Sequence, residues 1–224
     1  MAPRFAMAFW GSQLFWRILD PKLHRLYSEN RNPVVFLDES YELRHEASFY
    51  VLASAVVYPE ELAATRKALL DFYDGQPLHA APMFANRENA TLMDAMNLAA
   101  KQHDGLDLII QAPIASEDPN GRLARNRCLE FVVPLLHRET GASLFILDNL
   151  ESLTANRQDQ FLFSDLRKRR EISREAREHH ARPSQEPLLA IPDLLAWAYR
   201  QQITVKNPKW FEPLKSQARI HRLD

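Results

Sequence analysis

Two short stretches of the sequence each run from apolar residues into an aspartate. "VVFLDES", residues 34–40, stops at Asp38, and "LFILDNL", residues 144–150, stops at Asp148. Apolar runs of this length are typical of strands buried on both faces. Because a buried carboxylate is costly unless a cation, a metal ion or solvent meets it, each aspartate needs a partner. If the strands are parallel neighbours, both aspartates lie at the sheet edge where open α/β sheets bind ligands, within reach of a shared ion.

A third acid, Asp193, stands at the start of "PDLLAWAY", where Pro192 would suit the first position of a helix. Carboxylate oxygens are the ligands that Mg²⁺ and Mn²⁺ prefer. Taken singly, each aspartate has an ordinary explanation, because acids cap turns after strands and are favourable near helix starts. The coincidence of the three favours a divalent metal site.

One segment of the chain, "DLRKRREISREAREHHARPS" at residues 165–184, concentrates positive charge. A basic segment near a carboxylate site is what a nuclease needs, since phosphate contacts supply most nonspecific affinity for nucleic acid. The glutamates between the arginines equally suit a solvated helix with internal ion pairs, and both interpretations remain open. The candidate nucleic-acid-binding residues are Arg167, Lys168, Arg169, Arg170, Arg174 and Arg177.

The order of elements predicts an α/β layer with a mixed sheet, in which a hairpin supplies an antiparallel edge and helices cross between later strands. An irregular connection is expected over residues 76–85 and a loosely structured tail at the end of the chain. The predicted strands lie at 34–40, 47–57, 106–115 and 141–150, and the predicted helices at 59–75, 86–105, 122–139 and 186–202.

Composition excludes some classes of function. The 224 residues include 28 basic and 29 acidic side chains, so a net charge of −1 gives no global preference for nucleic acid or membrane. A single cysteine, Cys128, cannot form an internal disulfide or a cysteine-based zinc site, and we expect it to pack in the core. With neither a secretory signal nor a membrane-spanning run, we predict a cytoplasmic protein that does not contact membranes.

Three regions are expected along the chain. Residues 1–31 are rich in aromatic side chains and predict a docking segment, which would cover the core or contact a second subunit in a homo-oligomer. Residues 32–203 form the α/β domain, and residues 204–224 form the tail.

The stretches "FLDES", "FYVLASAVV", "LFILD" and "SQEPLLAIPDLLAWAYRQ" resemble the ribonuclease-H-like family catalogued as domain of unknown function 3800. The resemblance spans residues 33–203 and implies a mixed five-stranded sheet flanked by helices. It also implies that Asp38, Asp148 and Asp193 hold divalent metal ions, with Glu39 as a fourth catalytic acid. His79 lies in the loop where the family often presents a basic residue, and Ser40 is expected to be a hydrogen-bonding residue at the strand end rather than a nucleophile.

Two functions follow from this resemblance. The first is a Mg²⁺- or Mn²⁺-dependent nuclease that hydrolyses phosphodiesters of DNA or RNA with a two-metal carboxylate site and no covalent intermediate. The second is a catalytically inactive protein of the same fold that binds nucleic acid or a protein partner, as in a mobile-element or defence setting. Pro192, where the family usually has alanine, and the uncertain place of Glu39 favour the second.

Overall fold

The computed structural model describes residues 21–43, 48–150 and 153–224. Most of the predicted docking segment, residues 1–20, lies outside the described residues. The docking segment therefore remains a prediction. Within the described ranges the chain forms a mixed sheet of six strands with helices on both faces.

Four strands follow the predicted order, and two further strands form nearer the end of the chain. The strands are β1 (Val34–Glu42), β2 (Phe49–Val57), β3 (Asp107–Pro113), β4 (Leu144–Asp148), β5 (Arg177–Ala181) and β6 (Ala218–Arg222). The described helices are α1 (Pro21–Glu29), α2 (Leu62–Phe72), α3 (Ala80–Ala85), α4 (Asn89–Ala99), α5 (Arg122–Thr140), α6 (Leu153–Lys168) and α7 (Ala190–Thr204).

The strand order across the sheet is β5-β4-β1-β2-β3-β6. Strand β2 runs antiparallel to both of its neighbours, whereas β1 pairs with β4, β4 with β5 and β3 with β6 in parallel. The hairpin of β1 and β2 is therefore confirmed, and so is the α/β class with a mixed sheet flanked by helices. The expected count of five strands is wrong, because β6 from the supposedly loose tail adds a sixth at the free edge of β3.

Alternation along the strands divides the core into two layers. Val34 and Phe36 of β1 face the layer that contains α7, together with apolar residues of α1 to α4. Val35 and Leu37 face the opposite layer, formed by α5 and α6. Every residue of β2 is buried, as expected for a strand covered on both faces. The same alternation places successive polar residues of β1, such as Asp38 and Glu39, on opposite faces of the sheet.

Two predicted segments differ in the structure. The expected irregular connection contains α3, a helix too short for periodicity to reveal. The charged-helix interpretation of residues 165–184 is wrong beyond Lys168, where α6 ends, because the chain turns and enters β5. The sequence "REHHA" has no strand pattern of its own, so pairing with β4 overrides local propensity. No helix in the described ranges is long and apolar enough to span a bilayer.

Candidate metal centre

Asp38 and Asp148 lie side by side at one edge of the sheet. The parallel register pairs Leu37 with Leu147, so the two aspartates stand one residue beyond that pair. By alternation each shares a face with the apolar residue two positions before it, which for Asp38 is Phe36 on the α7 side. Asp148 is the last residue of β4, whereas β1 continues past Asp38 to Glu42, so the expectation that Asp38 ends its strand is wrong. The two acids are nevertheless neighbours on the face covered by α7.

Helix α7 supplies the third acid. It begins at Ala190, so Pro192 is its third residue and Asp193 its fourth. The missing N–H of Pro192 costs no helical hydrogen bond, because amides of the first turn have no partner within the helix. The helix packs against β1 and β2, and it places Asp193 close enough to Asp38 for their charges to interact. Pro192 therefore does not move Asp193 away from the sheet edge.

The pKa values of all three carboxyl groups are raised above their ordinary value. Burial raises the pKa of Asp38 well above its ordinary value, and the charges of Asp193, Glu39 and Asp148 raise it further. Burial also raises the pKa of Asp193 to about 6, with Asp148 adding to the effect. The pKa of Asp148 is raised as well, mainly by burial. Such a cluster needs protons or cations to be stable at neutral pH.

Each aspartate uses one oxygen for a backbone amide. Asp38 Oδ1 accepts from the N–H of Glu39 at 2.7 Å, and Asp148 Oδ1 accepts from the N–H of Asn149 at 2.8 Å. Asp193 Oδ2 accepts from the N–H of Ala80 at 2.7 Å. These bonds fix the three side chains and leave a second oxygen on each, which accepts no hydrogen bond from the part of the chain that the structure describes.

The donor chemistry of this cluster fits Mg²⁺ or Mn²⁺, which take hard carboxylate oxygens and keep several waters. Across residues 21–43, 48–150 and 153–224, however, no group of three or more His, Cys, Asp or Glu side chains is arranged to hold a metal ion as it stands. Asp38, Asp148 and Asp193 thus lie near one another, but their oxygens do not surround a single point.

His79 lies beside the acids. It immediately precedes α3 in extended conformation, and the next residue, Ala80, donates the hydrogen bond to Asp193. Its charge lowers the pKa of both Asp148 and Asp193, against the larger effect of burial. The hydrogen bond from Ala80 thus brings the loop before α3 to the sheet edge, with a half-exposed imidazole next to two carboxylates.

Glu39 takes the other face of the sheet. Its carboxylate contacts the guanidinium of Arg125 on α5, which also binds Asp159 on α6 with Nη2–Oδ2 and Nε–Oδ1 distances of 2.8 and 3.2 Å. Arg125 donates to the hydroxyl of Tyr50 at 2.9 Å, and His180 Nε2 lies 2.9 Å from Asp159 Oδ2. Burial acts to raise the pKa of Asp159, but the bonds to His180 and Arg125 hold it below its ordinary value. The second face therefore carries a compact charge network behind the three aspartates.

Sequence reasoning missed this network for an understandable reason. Arg125 occupies a buried position of α5 beside Ala124 and one turn before Cys128, where the apolar pattern predicts an apolar residue. The visible signal is that anomaly, a basic residue in the apolar stripe of a helix. Cys128 itself is buried, as predicted.

The predicted basic residues lie away from the acids. Strand β5 runs parallel to β4, with Arg177 opposite Leu144 and Ala181 opposite Asp148. The turn that carries most of the basic residues precedes Arg177 and therefore lies at the amino edge of these strands, whereas Asp38 and Asp148 lie at the carboxyl edge. Ser40, the remaining candidate, is half-buried opposite Val51 of β2.

The comparisons with known proteins give only distant likenesses. No family model and no curated protein matches the sequence, so the expected family of unknown function is not supported by a family model. A point mutant of Bst-RNase HIII is similar in structure, with 15% identity and a TM-score of 0.43. Bst-RNase HIII in complex with Mn²⁺ is similar with 13% identity and the same TM-score. In both cases the likeness covers 84% of this chain and 59% of the other, and it says nothing about what this chain binds or cuts.

Proposed function

We propose that this protein is a divalent-metal-dependent nuclease that hydrolyses phosphodiester bonds of nucleic acid. The observation that carries the proposal is the convergence of Asp38, Asp148 and Asp193 on one face at one sheet edge, where burial and neighbouring carboxylates raise their pKa values. Such a cluster is stabilised by bound cations, and a nucleic-acid phosphate brings the negative charge that those cations would neutralise.

The roles of the side chains follow from their hydrogen bonds. Asp38 and Asp148 would hold metal through the oxygen that is not bound to a backbone amide, and Asp193 would complete the set from α7. Mg²⁺ or Mn²⁺ at this edge would supply Lewis-acid activation of water and of the phosphate. His79, whose charge acts on Asp148 and Asp193, would exchange a proton with the attacking water or with the leaving oxygen.

A second candidate function is binding of nucleic acid without cleavage. It is favoured by one observation, namely that the acids of the described residues are not gathered around one point as a preformed metal site would be. Calorimetric titration with Mn²⁺ separates the two functions. Saturable binding that is lost in Asp38→Asn supports the nuclease, and the absence of any saturable binding in the parent favours the inactive protein.

The decisive experiment measures cleavage of labelled single-stranded DNA, duplex DNA, RNA and RNA–DNA hybrid with Mg²⁺ or Mn²⁺ and with chelator. We expect cleavage that requires metal and that falls by more than about 100-fold in Asp38→Asn, because a direct ligand matters at least as much as the residues that orient ligands. Asp71→Asn, an exposed residue on α2 paired with Lys67, is the matched control and should cleave like the parent. Equal activity in the parent and in Asp38→Asn would overturn the assignment.

A further inference from the structure

Far from the acidic edge, the turn between α6 and β5 and the end of α5 enclose an open groove of about 1060 Å³. Its wall contains five Arg or Lys side chains and two Glu, a formal charge of +3 in a protein whose net charge is −1. The basic residues of this groove are Arg138, Arg167, Lys168, Arg170 and Arg174. We call it the α6–β5 groove.

Ion pairing divides the basic residues of this region into two groups. Arg167 binds Glu178 at 2.8 Å, and Arg169, which is outside the groove, lies within 4 Å of Glu130, Asp165 and Glu171. By contrast, no ion pair with another described residue is found for Lys168, Arg170, Arg174 or Arg138. The structure thus separates cations committed to the fold from cations left for a ligand.

The turn that carries these cations is well ordered by its own contacts. Ile172 is buried in the second core layer, and the N–H of Ser173 donates to His137 Nε2 at 3.1 Å. The N–H of Glu171 bonds the carbonyl of Leu166, and Arg170 adopts a left-handed conformation with φ of 63°. Lys168, Arg170 and Arg174 are therefore presented from a fixed backbone, which lowers the entropy cost of binding an anion.

The groove lies too far from the three aspartates to bind the phosphate group that would be cleaved. Four strand steps from Leu144 to Asp148 amount to about 13 Å, and the groove also lies on the α5–α6 face rather than on the α7 face. A ligand that contacts both the groove and the acids must therefore extend at least ~15 Å, or about five base pairs at 3.4 Å each. A mononucleotide is too short.

We infer that the α6–β5 groove is a second contact for nucleic acid, which binds the phosphate backbone of a segment remote from the bond to be cleaved. Lys168, Arg170, Arg174 and Arg138 supply the charge, and no base-reading group is required. The inference rests on the proposed nuclease function for the identity of the ligand. It adds that the substrate is an extended nucleic acid rather than a nucleotide or a short oligomer.

The binding test uses the full chain with Asp38→Asn and chelator, so that cleavage plays no part. Affinity for a fluorescent duplex of about 20 base pairs, several times the span above, is measured against salt concentration. The groove variant Lys168→Gln with Arg174→Gln is compared with a control of equal charge, Arg25→Gln with Lys67→Gln, whose cations are already paired on the surface. We expect the slope of log affinity against log salt to fall by about 2 in the groove variant and to stay unchanged in the control.

The cleavage test separates this inference from the function on which it rests. In the background with intact aspartates, the groove variant should cleave the long duplex about tenfold more slowly at moderate salt and should hydrolyse bis(p-nitrophenyl) phosphate at the parent's rate. Equal salt slopes for groove variant and control would overturn the groove, whatever the cleavage result. If the parent cleaves without metal or does not cleave at all, the proposed nuclease function is wrong. The salt slopes would still decide whether the groove binds nucleic acid.

Discussion

The guanidinium of Arg125 contacts the carboxylate of Glu39 on the face of the sheet opposite to that of Asp38. Glu39 and Asp38 are neighbours in the chain, yet alternation along β1 gives them different partners. Asp38 faces two acids and Glu39 faces a buried cation. Two adjacent acidic residues therefore have different environments and different expected roles.

This relationship predicts that Glu39 supports the site without binding metal. Glu39→Gln should keep Mn²⁺ affinity within about tenfold of the parent, as expected for a residue behind the ligands, whereas Asp38→Asn should abolish it. Glu39→Gln should also lower the free energy of unfolding by about 1 to 2 kcal/mol, because a charge-assisted bond to Arg125 is lost while Asp159 still pairs it. Calorimetric titration and urea unfolding measure the two quantities. Loss of Mn²⁺ binding in Glu39→Gln as complete as in Asp38→Asn would show that Glu39 is a ligand.

A second prediction concerns pH and a buried pair away from the site. His103 Nε2 lies 3.5 Å from Asp107 Oδ1, and both side chains are fully buried. Burial lowers the pKa of His103 and raises that of Asp107 to about 8. Because an unfolded aspartate has a pKa near 4, the folded state holds the Asp107 proton more tightly. Its favourable contribution to stability is complete below about pH 4 and is lost as pH rises through about 8.

Asp107→Asn removes this dependence. In thermal unfolding with chelator present, the Tm of the variant relative to that of the parent should rise between pH 5 and pH 9, by several degrees at pH 9, on the order of 2 to 4 °C per kcal/mol. Asp94→Asn, an exposed aspartate on α4, should follow the parent at every pH. A stability difference between Asp107→Asn and parent that stays constant with pH would contradict the prediction.

A third prediction concerns the anchor of α7. Glu186, in the turn just before that helix, binds Arg66 through two bonds of 2.8 Å and accepts a bond of 2.6 Å from the hydroxyl of Tyr27. The side chains of Glu186 and Arg66 are 0% and 5% exposed. Glu186→Ala should therefore cost about 3 to 5 kcal/mol of unfolding free energy, since it removes the buried carboxylate that offsets the buried charge of Arg66.

The double variant Glu186→Leu with Arg66→Met tests the reason given for that loss. Because it removes both charges and keeps the volume, it should be more stable than Glu186→Ala in the same urea titration. If the double variant is no more stable than the single one, the buried charge of Arg66 is not the cause of the loss.

The sequence by itself determined the elements whose pattern is local. Apolar runs before Asp38 and Asp148 predicted two strands, of which only β4 ends at its aspartate, and the spacing after Pro192 predicted the last helix. The sheet confirms the fold class and the hairpin, and it places Asp38 and Asp148 as neighbours. These features follow from hydrophobic periodicity, which any buried strand or helix must show.

Only the tertiary structure decided which strands pair at the edges of the sheet and which charged side chains meet. Strands β5 and β6 form from sequences without a strand pattern, because the free edges of β4 and β3 supply hydrogen bonds that outweigh local preference. The pairing of Glu39 with Arg125, and the separation of the basic turn from the aspartates, depend on contacts between residues distant in the chain. A linear sequence shows which residues carry charge, but the packing of elements decides which charges meet.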